Sequence, residues 1–368
     1  MSAAIIIALV LGLHAWNISE YALTPGNATP VAPLVKIHGV ATNPRHDTIM
    51  LADVYLQSLS AWQWLTMHFQ SHVQFVPAAA LVDPGIPNDE LGAQGFLEMR
   101  DAKQAAEVTA FRTLGWTVPA TRTGSIVNGV VSPSPARSAG VHVGDEIVAV
   151  NATPVRSTCE LIGDVHDLAP GTSVRLQIER VKISDAGTLS WGPVQDLSVK
   201  TAAVPSSVGV SGCTGLTGRP RSWLGVSGED GFSYRLPATV SIDTANIGGP
   251  SAGLAMTLSL INELSSGSLT GHHVVAATGT IDVKGDVGDV GGVAEKTVAV
   301  QRAGASYFIV PEVEVATARA AASPGLKILG VTTLSQALRD LRRLGGVAPQ
   351  PLTTPLVTPD TGALRRSL

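Results

Sequence analysis

Charge is scarce in this sequence. Asp, Glu, Lys and Arg make up 15% of its 368 residues, where about 25% is usual for a soluble domain. With 25 basic and 29 acidic side chains the net charge is −4, so there is no global basic field for nucleic acid. Cysteine is almost missing. Cys159 and Cys213 are the only two, too far apart for a CxxC redox or zinc motif. They leave two readings open, one disulfide between neighbouring domains of an extracytoplasmic protein or two reduced, partly buried thiols. No cofactor or metal is expected. Glycine and proline number 38 and 23, about a sixth of the chain, short of the ~25–30% that marks low-complexity disorder. Basic residues are absent before Lys36, which removes the positive start of an ordinary signal peptide.

What is present is apolarity, with a mean hydropathy of +0.25. Residues 1–19 carry no formal charge and 3–13 are nearly all aliphatic. A spanning helix needs about 17–25 apolar residues, and His14 and Trp16 suit its interface end. The segment is read as a single-pass anchor, with a cleaved signal or a buried helix as the alternatives. Two further uncharged stretches, 244–262 and 264–281, have apolar runs of only about 10 residues and suit buried elements.

Pro25, Pro30 and Pro33 predict an extended connector. The rest of 20–119 has no clear fold, with a strand-like run at 35–40 and breakers at Pro84, Gly85 and Pro87. Trp62, Trp64 and Phe69 are expected in a core. The spacing of Ala105, Val108, Phe111 and Leu114 predicts a helix over 101–114.

Residues 120–205 read as a small β domain. A strand at 125–131 leads to a short helix at Pro135, with a glycine stop at Ala139-Gly140. A turn at Gly144-Asp145 precedes a strand at 147–150, Asn151 makes a second turn, and 174–180 alternates as another strand. This order resembles a PDZ domain through its P-A-x-x-A-G-V-x-x-G-D-x-I-x-x-V-N pattern. The resemblance implies capture of extended, C-terminal peptides by strand addition. No clear carboxylate loop is present, and 118–124 is the nearest candidate.

Beyond a hinge at 206–219, residues 220–345 contain Gly249-Pro250-Ser251-Ala252-Gly253. A G-x-S-x-G elbow calls for a distal histidine, but His272 and His273 follow too soon. Three lysines come after Ser251. Lys284 sits in an acidic turn and Lys327 follows Pro324-Gly325. Lys296 shares a helix face with Val293 and Val300, where burial can lower an ammonium pKa toward the ~7–8 a general base needs. A helix predicted over 251–264 places free amides beside Ser251. A serine N-cap on a buried helix is the bland alternative. The glycines at 285, 288, 291 and 292 read as turns, since Asp286 and Asp289 would repel phosphate.

Residues 236–342 resemble the Lon proteolytic domain, a Ser/Lys peptidase, through GPSAG at 249–253, Thr278-Gly279, Gly291-Gly292, Glu295-Lys296 and Arg302-Ala-Gly304. The resemblance implies Ser251 as nucleophile and Lys296 as base, with Thr278 positioning the lysine and Gly249, Pro250 and Ala252 in support. Gly248 departs from the acidic residue usual in the family three before the serine. No G-x-x-x-x-G-K-[ST] loop occurs, so the Lon ATPase is missing.

The whole order is similar to the YlbL-like bacterial membrane-associated PDZ/Lon proteins. It implies a multidomain α+β chain: an N-terminal membrane helix (1–19), a region of unclear fold (20–119), a PDZ-like β domain (120–205), a Lon-type α+β proteolytic domain (220–345) and a disordered tail (346–368). The expected activity is an ATP-independent, membrane-tethered serine endopeptidase acting on polypeptides outside the cytoplasm, with homo-oligomeric rings an open option. A non-catalytic PDZ scaffold is the alternative.

Overall fold

A computed structural model of the chain describes residues 2–43, 47–81, 90–183, 189–206, 208 and 212–352. The first part runs α1 (Ser2–Ala15), β1 (Asn17–Pro30), β2 (Val35–His38), β3 (Ile49–Ser60), α2 (Ala61–Met67), β4 (Gln74–Pro77) and α3 (Leu91–Thr113). The middle holds β5 (Ala120–Val130), α4 (Pro135–Ser138), β6 (Glu146–Val150), β7 (Thr153–Pro154), α5 (Thr158–His166), β8 (Ser173–Ile183), β9 (Leu189–Lys200), β10 (Ala202–Ala203), β11 (Ser222–Trp223) and β12 (Val226–Tyr234). The last part holds β13 (Thr239–Ile242), α6 (Gly253–Leu264), β14 (Val275–Ala277), β15 (Thr280–Ile281), β16 (Val287–Gly288) and α7 (Val293–Arg302). It ends with β17 (Tyr307–Pro311), α8 (Val315–Ala321), β18 (Lys327–Val331) and α9 (Leu334–Arg343).

The two ends of the chain share one sheet. Its order is β18-β17-β14-β3-β1-β4, with β14 parallel to both β17 and β3 and β1 antiparallel to β3. The stretch expected to have an unclear fold of its own therefore completes the sheet of the 220–345 region. All five residues of β17, YFIVP, are buried, as expected of a parallel strand covered on both faces. One face carries α6, whose twelve residues are all buried, packed with α3 residues Ala106, Val108 and Phe111. The other face carries α7 and α8, through Val293, Val300, Val315 and Ala318 against Phe308 and Val310. The expected prolyl connector is instead β1 itself. It tolerates Pro25 and Pro30 because β4 pairs only with Glu20–Leu23, so both prolines meet one open edge.

The β domain has a second sheet, β12-β5-β6-β8-β9 with β7 beside β6, and its own core of Val127, Ile147, Val150, Leu161 and Leu176. Ser134 caps α4 by accepting from the Arg137 amide at 3.1 Å. Gly140 and Gly144 take the left-handed backbone their turns require, at φ 81° and 89°. Two expectations need correction here. The segment 118–124 is not a loop, because β5 begins at Ala120 and pairs with Tyr234. The β domain also does not stop at 205, because β12 pairs along β5 from Val226↔Val130 to Tyr234↔Ala120. The disulfide alternative is the one found. Cys159 and Cys213 are bonded, yet they tie α5 to the connector before β11 and do not join two domains.

The N-terminal expectation is also corrected. Helix α1 has 14 residues, about 21 Å at 1.5 Å per residue, against a hydrocarbon core of about 30 Å. Asn17 then enters the sheet opposite Ser60. No helix among the described residues is long and apolar enough to cross a membrane. The aromatics at 62–69 lie outside the core: Trp64 and Phe69 are 36% and 86% exposed, and Trp62 stacks on His14.

The predicted helix over 101–114 is longer, starting at Leu91. Its N-terminal half contains Gly92 and Gly95, which hide helical propensity. The first residues of the expected tail are pinned, with the Val347 amide on the Ser268 carbonyl (2.9 Å) and the Leu352 amide on that of Leu264 (3.2 Å). Residues 353–368 lie outside the described residues, as do Pro84, Gly85 and Pro87, and within the expected hinge 207 and 209–211.

Candidate active site

The candidate site forms where the loop at 249–253 meets α7. Gly249 takes φ +85°, and Pro250 follows, so the chain turns sharply just before Ser251. Helix α6 starts two residues later than the predicted boundary, with Ala252 as its N-cap. Ser251 therefore stands just outside the helix with its hydroxyl unburdened by capping. The loop is fixed by backbone bonds. The Gly253 amide donates to the Pro250 carbonyl (3.2 Å), that of Leu254 to Gly279 (3.1 Å), and that of Gly279 to Ser251 (2.9 Å). Among the described residues, the amides of Ser251 and Ala252 meet no acceptor. Two N–H groups at a helix start, free and adjacent to a hydroxyl, can bind an oxyanion.

Lys296 comes from α7. Gly292, at φ +68°, is the N-cap of this helix and lies against Val54 of β3, which fixes where the helix starts. Val293 and Val300 anchor one face in the core, and Lys296, three and four residues from them on the same helix, is 2% exposed. Its Nζ donates to Ser251 Oγ at 2.9 Å. Burial pushes the ammonium down to about 8, against the opposing pull of the Asp53 and Glu314 carboxylates. Among the described residues no carboxylate lies within ion-pair distance of Lys296.

Thr278 is fully buried, and its Oγ1 donates to the Ser251 carbonyl at 3.2 Å. Among the described hydrogen bonds it thus holds the serine backbone, where the resemblance implied a role in positioning the lysine. The other lysines stand apart: Lys284 and Lys327 are exposed. His272 is also exposed and lies 3.6 Å from Asp47, while His273 packs on the Tyr307 ring. The glycine series makes the β15–β16 turn and the α7 cap, with the Lys284 and Asp286 amides on Asp282 Oδ1. Among the described residues no group of three or more His, Cys, Asp or Glu side chains could hold a metal ion.

Two contributors carried no signal in the sequence. Asp53, on β3, acts on Lys296 through its charge and accepts from the Asn27 amide at 2.8 Å. Gly95, on α3, accepts from the Gly249 amide at 2.7 Å. It also explains the departure at Gly248, where a Cβ would meet the Gly95 carbonyl carbon and oxygen at 3.2 and 3.3 Å. A side chain there would require the α3 backbone to give by a few tenths of an ångström.

Comparison with known proteins agrees with the two parts of the fold. Residues 112–192 match the PDZ domain family, and residues 243–340 match the Lon protease (S16) C-terminal proteolytic domain. Curated relatives include Lon proteases of Ureaplasma parvum, 41% identical over 63 residues, and Clostridioides difficile, 42% identical over 64 residues. The Lon protease of Roseiflexus castenholzii is 44% identical over 64 residues. Each match covers 17% of this chain and 8% of the relative's length. A similar solved structure is the PDZ domain of an SdrC-like protein from Listeria monocytogenes. It is 18% identical, covers 29% of this chain and 90% of that one, and has a TM-score of 0.22. The chain carries a PDZ domain joined to a Lon protease (S16) C-terminal proteolytic domain.

Proposed function

We propose that this chain is a serine endopeptidase that uses a Ser251–Lys296 dyad and needs no ATP. The observation that carries the reading is the 2.9 Å contact between a buried lysine and a loop serine. As a neutral amine, Lys296 takes the Ser251 hydroxyl proton while Oγ attacks the peptide carbonyl. The oxyanion is met by the Ser251 and Ala252 amides. The protonated Lys296 returns its proton to the leaving amine, and water then releases the acyl group from Ser251. The sequence contains no phosphate-binding G-x-x-x-x-G-K-[ST] loop, which supports action without nucleotide.

The PDZ domain brings polypeptide ends to the enzyme. Strand β12 ends its sheet beside α5, whose Thr158 amide donates to Asp230 of β12 at 2.8 Å. An extended peptide adds along that edge. The Cys159–Cys213 disulfide supports residence in an oxidising, extracytoplasmic compartment. The uncharged α1, with Trp16 66% exposed at its end, supports attachment to a membrane.

The test is hydrolysis of fluorescein-labelled casein by the full chain without nucleotide. Wild type should cleave it, and Ser251→Ala and Lys296→Ala should not. Equal rates in the variants would exclude the dyad.

A further inference from the structure

We infer that helix α3 is a positioning element through which the PDZ domain sets the nucleophile loop. The inference rests on the Ser251–Lys296 reading and concerns what holds that site in place.

The N-terminal half of α3 touches both domains. On the PDZ side, the N-cap residue Glu90 pairs with Arg137 of α4. Leu97 is 4% exposed, in a small core with Val143, Val181 and Trp191, and it approaches the turn at Gly144. Arg100 stacks over the Trp191 ring at 5.5 Å. The same helix reaches β12, the strand proposed to receive peptides. Arg100 lies 3.9 Å from Glu229, and Gln104 Nε2 donates to the Phe232 carbonyl at 3.3 Å.

On the catalytic side, the Gly95 carbonyl accepts from the Gly249 amide at 2.7 Å. The α3 backbone there lies so close that Gly248 can carry no side chain without displacement. Gly95 is two to five residues from Leu97 and Arg100 on the same helix, so the two contacts sit on one rigid stretch. A shift of this helix moves Gly249, two residues before Ser251. The rest of the loop hangs on bonds to Gly279 and Thr278, so displacement at Gly249 alters the hydroxyl's approach to Lys296. Misplacement of a reacting group by about 1 Å can cost 100-fold in rate.

The test uses the full chain and two variants outside the dyad. Leu97→Ala loosens α3 from the PDZ domain, and Arg137→Gln removes the ion pair from the PDZ side with less risk to folding. Casein hydrolysis is measured together with amide hydrogen exchange of segments 91–99 and 246–252. In each variant kcat should fall at least about 10-fold with KM within about 2-fold, and exchange should speed up at both 91–99 and 246–252. Faster exchange at 91–99 alone, with 246–252 and kcat as in wild type, would overturn the inference. Should wild type fail to cleave casein, the peptidase reading falls. The exchange at 246–252 still decides the coupling.

Discussion

Each of the two domains buries a charged-type side chain in its interior, and they treat it in opposite ways. In the PDZ domain Asp145 is fully buried. Arg180 answers it with Nε on Oδ1 and Nη2 on Oδ2, both at 3.2 Å, and the His142 amide adds a third bond at 3.0 Å. In the proteolytic domain Lys296 is as deeply buried and is met by a neutral hydroxyl. A buried charge with its partner in place is costly only when that partner is removed, whereas one without a partner raises the energy of its charged form, which is what the proposed base requires.

Breaking each side of the comparison gives effects of decreasing size. Lys296→Met and Ser251→Ala should each lower casein hydrolysis by at least about 1,000-fold; steady-state rates would show it. Arg180→Met leaves Asp145 buried without its partner and should cost about 3–5 kcal/mol of unfolding free energy, measured by urea titration. Lys296→Met should do the reverse and stabilise the fold. The lysine's folded pKa of about 8 lies below its unfolded value near 10.5, so the unfolded chain binds more protons between them. Native stability therefore rises as pH climbs from about 8 to 10.5, and below 8 the buried charge costs up to roughly 3 kcal/mol. The methionine variant should gain about that much at pH 7, gain little above pH 10, and lose this pH dependence. In the smallest effect, kcat/KM of wild type should fall about tenfold per pH unit below 8, as the neutral amine disappears.

The same contrast explains what the sequence could disclose. Ser251 and Lys296 were legible because a turn, an uncharged helix and a lysine among valines lie within one stretch of chain. The PDZ turns were legible because Gly140 and Gly144 each answer a local backbone need. Non-local parts were not. Strand β3 reaches the sheet by pairing with β14, more than two hundred residues later, and no local pattern marks that partner. Gly95 acts through a carbonyl, which every residue has. β12 lies within the expected 220–345 region by position, yet it pairs with β5, and no local pattern marks that partner. The apolar start suggested a span by composition alone, while the Asn17 pairing to Ser60 ends the helix early.

The most direct measurement is the titration of Lys296 itself, followed by NMR on the full chain carrying ¹³C-labelled lysine. One lysine signal should titrate near 8 and vanish in Lys296→Met. If every lysine signal titrates near 10.5, Lys296 is an ordinary ammonium at neutral pH and the dyad is wrong.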